Sequence, residues 1–301
     1  MRVIVVCQNK GGDGKTTVSR LLGEWAGRHG LRTLMIDMDP QCNLSQRFLT
    51  MDYNASDPDG GVMPPVHPEY NPGEDWDGRC SIADVYNGRI ARYGLSPYPT
   101  EVPNVDILPG HGSEMRKAEL QRAEDVKAKI IERLREFIDD PLFASLYDLV
   151  VIDTPPSKGP LVQSAIRAAT HMLIPSQMEQ GSVEGLQGMF SLWKRENRDR
   201  RADRQIVMLG ILPSKFRNIA VQTGTLEGLK TRTTIAHYLI PLMLNLRAAF
   251  AEADHPLAKP KSIFDLHAPN KAREEAEAVC RFIFERLQLE GSPGAAPAVA
   301  A

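Results

Sequence analysis

Short unbroken apolar runs alternate along this chain with stretches in which apolar residues recur every three or four positions. Residues 2–7, 33–37, 105–108, 149–152, 172–175 and 206–212 are runs of strand length. Their lack of polar alternation is what a strand covered on both faces requires. Residues 16–29 place Leu21, Leu22, Trp25 and Ala26 on one side of a helix, with Gly30 as its stop. Further helices are predicted at 81–86, 182–194 and 270–287. The longest, 113–139, is charged, with Leu120, Ile130, Ile131, Leu134, Phe137 and Ile138 as its apolar face. Strands alternating with amphipathic helices predict an α/β fold, doubly wound around a mostly parallel sheet. In such a fold ligands collect at the carboxyl ends of the strands.

Two stretches depart from the pattern. Residues 52–80 are rich in Pro, Gly and Asp and have no periodicity, which predicts an irregular insertion on the surface. Residues 291–301 are Gly, Pro and Ala with one Ser and one Val, a tail expected to be disordered. A single domain is expected over 1–290.

Composition adds exclusions. A formal net charge of −2 argues against a dedicated nucleic-acid module, while leaving local basic patches open. The four cysteines, Cys7, Cys42, Cys80 and Cys280, show no C-x-x-C spacing, which argues against zinc or iron–sulfur sites and fits a reducing cytosol. No signal peptide or 18-residue apolar segment is present, so a soluble cytoplasmic protein is expected.

The chemistry concentrates after the first strand, in Lys10-Gly11-Gly12-Asp13-Gly14-Lys15-Thr16-Thr17. This fits the Walker A template loosely, because Asn9 stands at its first glycine. Strand, glycine loop and helix still make a phosphate cradle. Backbone N–H groups of residues 11–16 face the anion, Lys15 reaches the β/γ-phosphates, and the Thr16 hydroxyl ligates Mg²⁺. Asp153 ends the strand Val150-Val151-Ile152, the place of a Walker B carboxylate that holds the metal directly or through water. In Met35-Ile36-Asp37-Met38-Asp39-Pro40-Gln41, alternation puts Asp37 and Asp39 on one face of a strand end, near a cation and an attacking water. An Asx turn before Pro40 is the alternative, and Asp153-Thr154-Pro155-Pro156 shares it. A second lysine, Lys10, either faces solvent or projects across an interface to neutralise a partner's phosphate charge.

These motifs resemble the ParA/Soj family of partition ATPases, in the deviant Walker A group that also contains MinD. The matching pieces are Lys10-Gly-Gly-Asp-Gly-Lys-Thr-Thr17, Ile36-Asp-Met-Asp-Pro-Gln-Cys-Asn-Leu-Ser45 and Tyr147-Asp-Leu-Val-Val-Ile-Asp-Thr-Pro-Pro156, with Ile174 to Leu186 and Leu209-Gly-Ile-Leu-Pro213 further on. The resemblance spans residues 1–288, and Asp39-Pro40-Gln41 is its sharpest marker. It implies a P-loop NTPase that hydrolyses ATP with Mg²⁺. It also implies an ATP-bound sandwich homodimer in which Lys10 contacts the other subunit's ATP, non-specific binding of double-stranded DNA, and a ParB-like partner that stimulates hydrolysis. Carried over residue by residue, Lys15, Thr16 and Thr17 with the glycine loop bind nucleotide. Asp39 positions the hydrolytic water, and Asp37 and Asp153 support the metal. Plasmid or chromosome segregation over the nucleoid follows.

DNA contact in that family comes from basic residues of the carboxyl-terminal half. The candidates are Lys215, Arg217, Lys230, Arg247, Lys259, Lys261, Lys271 and Arg273, with Arg247 foremost. There are departures. Asp13 replaces a usual valine and is expected to bring negative charge beside the phosphates, and Cys42 replaces a usual glycine. The sequence opens on its first strand, from which no operator-binding extension is expected. The cation-free carboxyl end argues against membrane docking. The alternatives are a related ATPase that positions a microcompartment or protein cluster, an ATP-dependent switch with negligible hydrolysis, and a stand-alone nucleotide enzyme of the same fold.

Overall fold

A computed structural model describes residues 1–288 apart from 56, 59, 74, 122 and 256–261. The tail 291–301 and the basic candidates Lys259 and Lys261 therefore lie outside the described residues. The chain begins with β1 (Arg2–Val6), α1 (Lys15–Arg28), β2 (Thr33–Asp37) and the short α2 (Ser45–Phe48). An antiparallel pair, β3 (Asp52–Tyr53) with β4 (Val62–Met63), follows. Next are α3 (Ala83–Asn87), α4 (Ile90–Tyr93), β5 (Tyr98–Pro99) and β6 (Val105–Leu108). Then come α5 (Gly112–Glu119), α6 (Glu124–Ile138), α7 (Pro141–Leu146), β7 (Leu149–Asp153), α8 (Pro160–Ala168) and β8 (His171–Ser176). The later elements are α9 (Gln180–Arg198), β9 (Val207–Pro213), α10 (Ala220–Lys230), α11 (Ala248–Asp254) and α12 (Lys271–Leu287).

Seven strands form one sheet in the order β5-β6-β2-β7-β1-β8-β9. Every neighbouring pair is parallel except β5 with β6. This is the doubly wound, mostly parallel α/β fold that the alternation predicts. Side chains of one strand go to opposite faces. Val3 and Val5 of β1 join one buried cluster with α6 and α8, whereas Ile4 and Val6 join another with α1 and α12. Helix α1 seats closely because two of its residues lack a side chain. A Cβ on Gly23 would lie 2.5 Å from the Met35 sulfur, and one on Gly27 would lie 2.3 Å from the Pro103 carbonyl.

The expected helix over 113–139 is corrected: it is two helices, α5 and α6, broken after Glu119. Glu119 leaves the helix surface to serve α8, its oxygens accepting from Ser157 Oγ at 2.6 Å and from the Leu161 N–H at 3.2 Å. Leu120, assigned above to the apolar face, is instead 63% exposed at the break. The stretch 52–80 is tied to the edge strand by aromatic packing. The His67 ring sits 4.6 Å from Tyr98 of β5 and 6.0 Å from Trp76.

Candidate phosphate-binding site

The loop between β1 and α1 leaves the middle of the sheet and is shaped by glycine. Gly12 and Gly14 have φ of 89° and 84°, a left-handed backbone that a side chain disfavours. Gly14 is the residue before α1, so the helix's first N–H groups and its positive end open onto the loop. Lys15 is buried, and its Nζ donates to the Lys10 carbonyl at 3.1 Å, closing the loop on itself.

Three strand-end acids meet here. β2 and β7 are in register so that Asp37 and Asp153 are direct partners at the carboxyl edge, both wholly buried. Asp153 accepts from Thr16 Oγ1 at 2.7 Å and Ser19 Oγ at 3.0 Å. Burial pushes its carboxyl up, and the Asp37 charge adds to this. Asp37 accepts from the Ser45 N–H at 2.8 Å, Ser45 Oγ at 2.6 Å and the Asp39 N–H at 3.1 Å. Burial pushes Asp37 up as well, against those hydrogen bonds. It therefore holds the turn that carries Asp39. Asp39 accepts from the Gln41 N–H at 2.9 Å; burial raises its carboxyl, while that bond and the Lys15 charge oppose the shift. Burial lowers Lys15 in turn, against the charges of Asp153, Asp39 and Asp13. Lys15 thus faces several buried acids at once, with Lys10 sharing the compensation of Asp13. The donor set would suit a hard dication, because the Thr16 hydroxyl and the Asp153 carboxylate, hydrogen-bonded at 2.7 Å, offer oxygen donors among acids whose repulsion a cation would relieve.

Asp13, expected to add charge beside the phosphates, does act on Lys10 and Lys15, and its side chain is also bonded to the segment leading into α9. Its Oδ1 accepts from Ser182 Oγ at 2.8 Å and from the Gln177 N–H at 3.2 Å, at the start of α9. Its Oδ2 is buried without a hydrogen-bond partner, and burial raises the carboxyl. Nearby, Gln177 Nε2 donates to the Gly12 carbonyl at 2.8 Å and Ser214 Oγ bonds the Asp13 carbonyl at 2.5 Å. The loop is stitched to the segments after β8 and β9.

Residues 1–206 match the family described as AAA domain, a span that includes the loop and all three acids. The chain belongs to that family. Within it, this AAA-domain chain is of the ParA/MinD type. It is 32% identical over 205 residues to the putative replication protein A of Rhizobium rhizogenes, covering 65% of this chain and 46% of that protein. It is 27% identical over 223 residues to the sporulation initiation inhibitor protein Soj of Bacillus subtilis, covering 73% of this chain and 76% of that one. The chain spans about half the length of several such relatives, 46% to 49%. The solved complex of an aspartate-to-alanine variant of Cyanothece McdA with ATP shares the fold, with a TM-score of 0.70 at 17% identity over 94% of this chain and 96% of that one.

This AAA-domain chain has a cavity of about 150 Å³ beside the loop, walled largely by apolar groups. Gly14, Thr17, Val18, Ser214, Leu244 and Phe250 line it, and Thr17 Oγ1 bonds Asp254 at 3.1 Å. Sequence reasoning missed this wall, although Ser214 directly follows the quoted Leu209 to Pro213 run. It also placed Arg247 foremost on a DNA surface. The structure sets Arg247 at this cavity, with Nη2 paired to Glu275 at 2.5 Å. Lys215 lines the same cavity. Other basic candidates are engaged too: Arg217 with Glu179 at 3.6 Å, Lys230 with Glu227 at 2.8 Å, and Arg273 with Glu277 at 2.7 Å. Lys271 is exposed at the start of α12. Ser19, Ser45, Gln177 and Ser182 were also missed. Their signal is geometric: each is a short polar side chain that reaches a buried acid or the loop.

Proposed function

We propose that this chain is an Mg-dependent ATPase whose ATP-bound form dimerises and binds duplex DNA without sequence preference. A ParB-like partner then stimulates hydrolysis, and the cycle segregates plasmid or chromosomal DNA over the nucleoid. Residues 1–290 act as one ATPase domain in this reading. The observation that carries it is the divergence of two lysines in one loop. Lys15 is 7% exposed among the acids, whereas the Lys10 side chain is 40% exposed on the outer side of the loop. The buried lysine serves its own subunit, and the outer one, held only by a solvent-exposed ion pair, can serve another.

The chain's own residues divide the work. Backbone N–H groups from Gly11 to Thr16 and the Lys15 ammonium hold the β- and γ-phosphates. The apolar cavity beside Gly14 takes the flat face of the base. Thr16 and Asp153 would hold a magnesium ion, which would supply positive charge against the phosphates. Asp39, held by Asp37 and oriented by the Gln41 N–H, positions the attacking water. Lys10 places its charge on the partner's triphosphate in the same way as an arginine finger.

The test is phosphate release together with binding to a non-specific duplex, in ATP, ADP or no nucleotide, for the native chain and Lys10→Ala. DNA binding that needs ATP and vanishes in Lys10→Ala is the expected result. Binding indifferent to nucleotide and to Lys10 would turn the assignment towards a stand-alone nucleotide enzyme.

A further inference from the structure

The structure shows where its own subunit keeps Lys10. The Nζ lies 3.7 Å from Glu179 Oε2, on the residue that precedes α9. The other carboxylate oxygen, Oε1, accepts from Gln222 Nε2 at 3.2 Å and faces Arg217 Nη2 at 3.6 Å. Lys10 stands there against the field of the helix. A Cβ on Gly181 would be 3.4 Å from its Nζ, so the ammonium lies over the first turn of α9, the end that repels cations. Glu179 offsets that repulsion locally.

We propose that Glu179 is the in-subunit anchor of Lys10. It holds the lysine over α9 in the free chain and yields it to the partner's triphosphate, so the strength of this ion pair sets how readily the ATP-bound dimer forms. The inference rests on the assignment of Lys10 as the cross-subunit lysine. Three features suit an anchor that must let go. The two side chains are 40% and 34% exposed, so water screens the pair and keeps it weak. A triphosphate carries several charges against the single charge of the carboxylate. When Lys10 leaves, Arg217 and Gln222 still compensate Oε1, so Glu179 is not left unpaired. Meanwhile the other end of the loop stays pinned to the same turn of α9 through Asp13 and Ser182. Only the lysine side chain has to move.

The experiment is the dimer dissociation constant in ATP and Mg²⁺, by sedimentation equilibrium, for the native chain, Glu179→Gln, Lys10→Ala and the double variant. Each dimer breaks two anchors, so Glu179→Gln is expected to tighten dimerisation by about fivefold. In the Lys10→Ala background, which is expected to stay monomeric, Glu179→Gln should restore no dimer, so its effect needs the lysine it releases. Arg217→Gln supplies an independent variant of opposite sign. With less competition for Glu179, Lys10 is held more firmly and the dimer weakens by about twofold to threefold. A Glu179→Gln chain that dimerises like the native one or less well would overturn the anchor. A native chain that stays monomeric in ATP would overturn the cross-subunit assignment itself, and the two failures are read from different samples.

Discussion

Asp153 closes β7 at the carboxyl end of the sheet, and His171 opens β8 at the amino end. Both are buried, and burial acts on each in the direction that favours its neutral form. At the carboxyl end that pressure meets a second acid. Asp37 is the register partner of Asp153, so repulsion is built into the pairing of β2 with β7. Hydroxyls of Thr16, Ser19 and Ser45 and the Lys15 ammonium reduce the stress without removing it. At the amino end, burial and the charge of Arg2 push His171 down to about 4, leaving a neutral ring whose Nδ1 is 2.8 Å from Thr170 Oγ1. Arg167 and Arg200 are paired there with Glu196, at 2.9 and 3.1 Å. The carboxyl end crowds three buried acids around Lys15, whereas the amino end is the more relaxed, its buried ring neutral and both arginines paired with a carboxylate. Substitutions should therefore cost activity at the first-named end and stability at the other.

The largest break should come from Lys15→Ala. It removes the ammonium that faces both the acids and the phosphates, and phosphate release should fall about 1000-fold. Next is His171→Gln at the relaxed end. The native ring is depressed to about 4 from an unfolded value of 6.5, so the unfolded chain binds the extra proton between those values. Native stability is full above pH 6.5 and is lost as pH falls to 4, by about 3 kcal/mol. The glutamine variant should lack this share of the acid limb in urea titrations, while its phosphate release at pH 7.5 stays native. Asp153→Asn should sharpen the contrast in one protein. Hydrolysis drops about 100-fold, and thermal unfolding shifts upward by about 1 kcal/mol because repulsion with Asp37 is gone. The smallest effect belongs to Cys42→Gly. Cys42 has φ of 53° and is fully buried, so relief of left-handed strain is set against lost packing. Urea unfolding should move by less than about 1 kcal/mol.

The unbroken apolar runs made the parallel strands legible, because strands covered on both faces leave no polar alternation to confuse with anything else. The glycine loop, Lys15, Thr16 and the strand-end acids were legible for the same reason: short-range spacing fixes them. What escaped was set by distant partners. The break after Glu119 arises because that carboxylate caps α8, and no local periodicity records such a contact. Asp13 was legible as charge on the loop, where it acts on Lys15, but its bond from Ser182, on a helix far along the chain, was not. Arg247 was legible as a partly exposed cation, but its pairing with Glu275 of α12 at the edge of the cavity was not. Asp37 showed alternation with Asp39, but its partners Ser45 and Asp153 show that it also holds the turn in place.

The most direct measurement is sedimentation velocity of the native chain and Lys10→Ala, each without nucleotide and with ATP and Mg²⁺. The account expects both to sediment as monomers without nucleotide and only the native chain to become a dimer in ATP. A native chain whose sedimentation ignores ATP, or a Lys10→Ala chain that dimerises equally well, would contradict it.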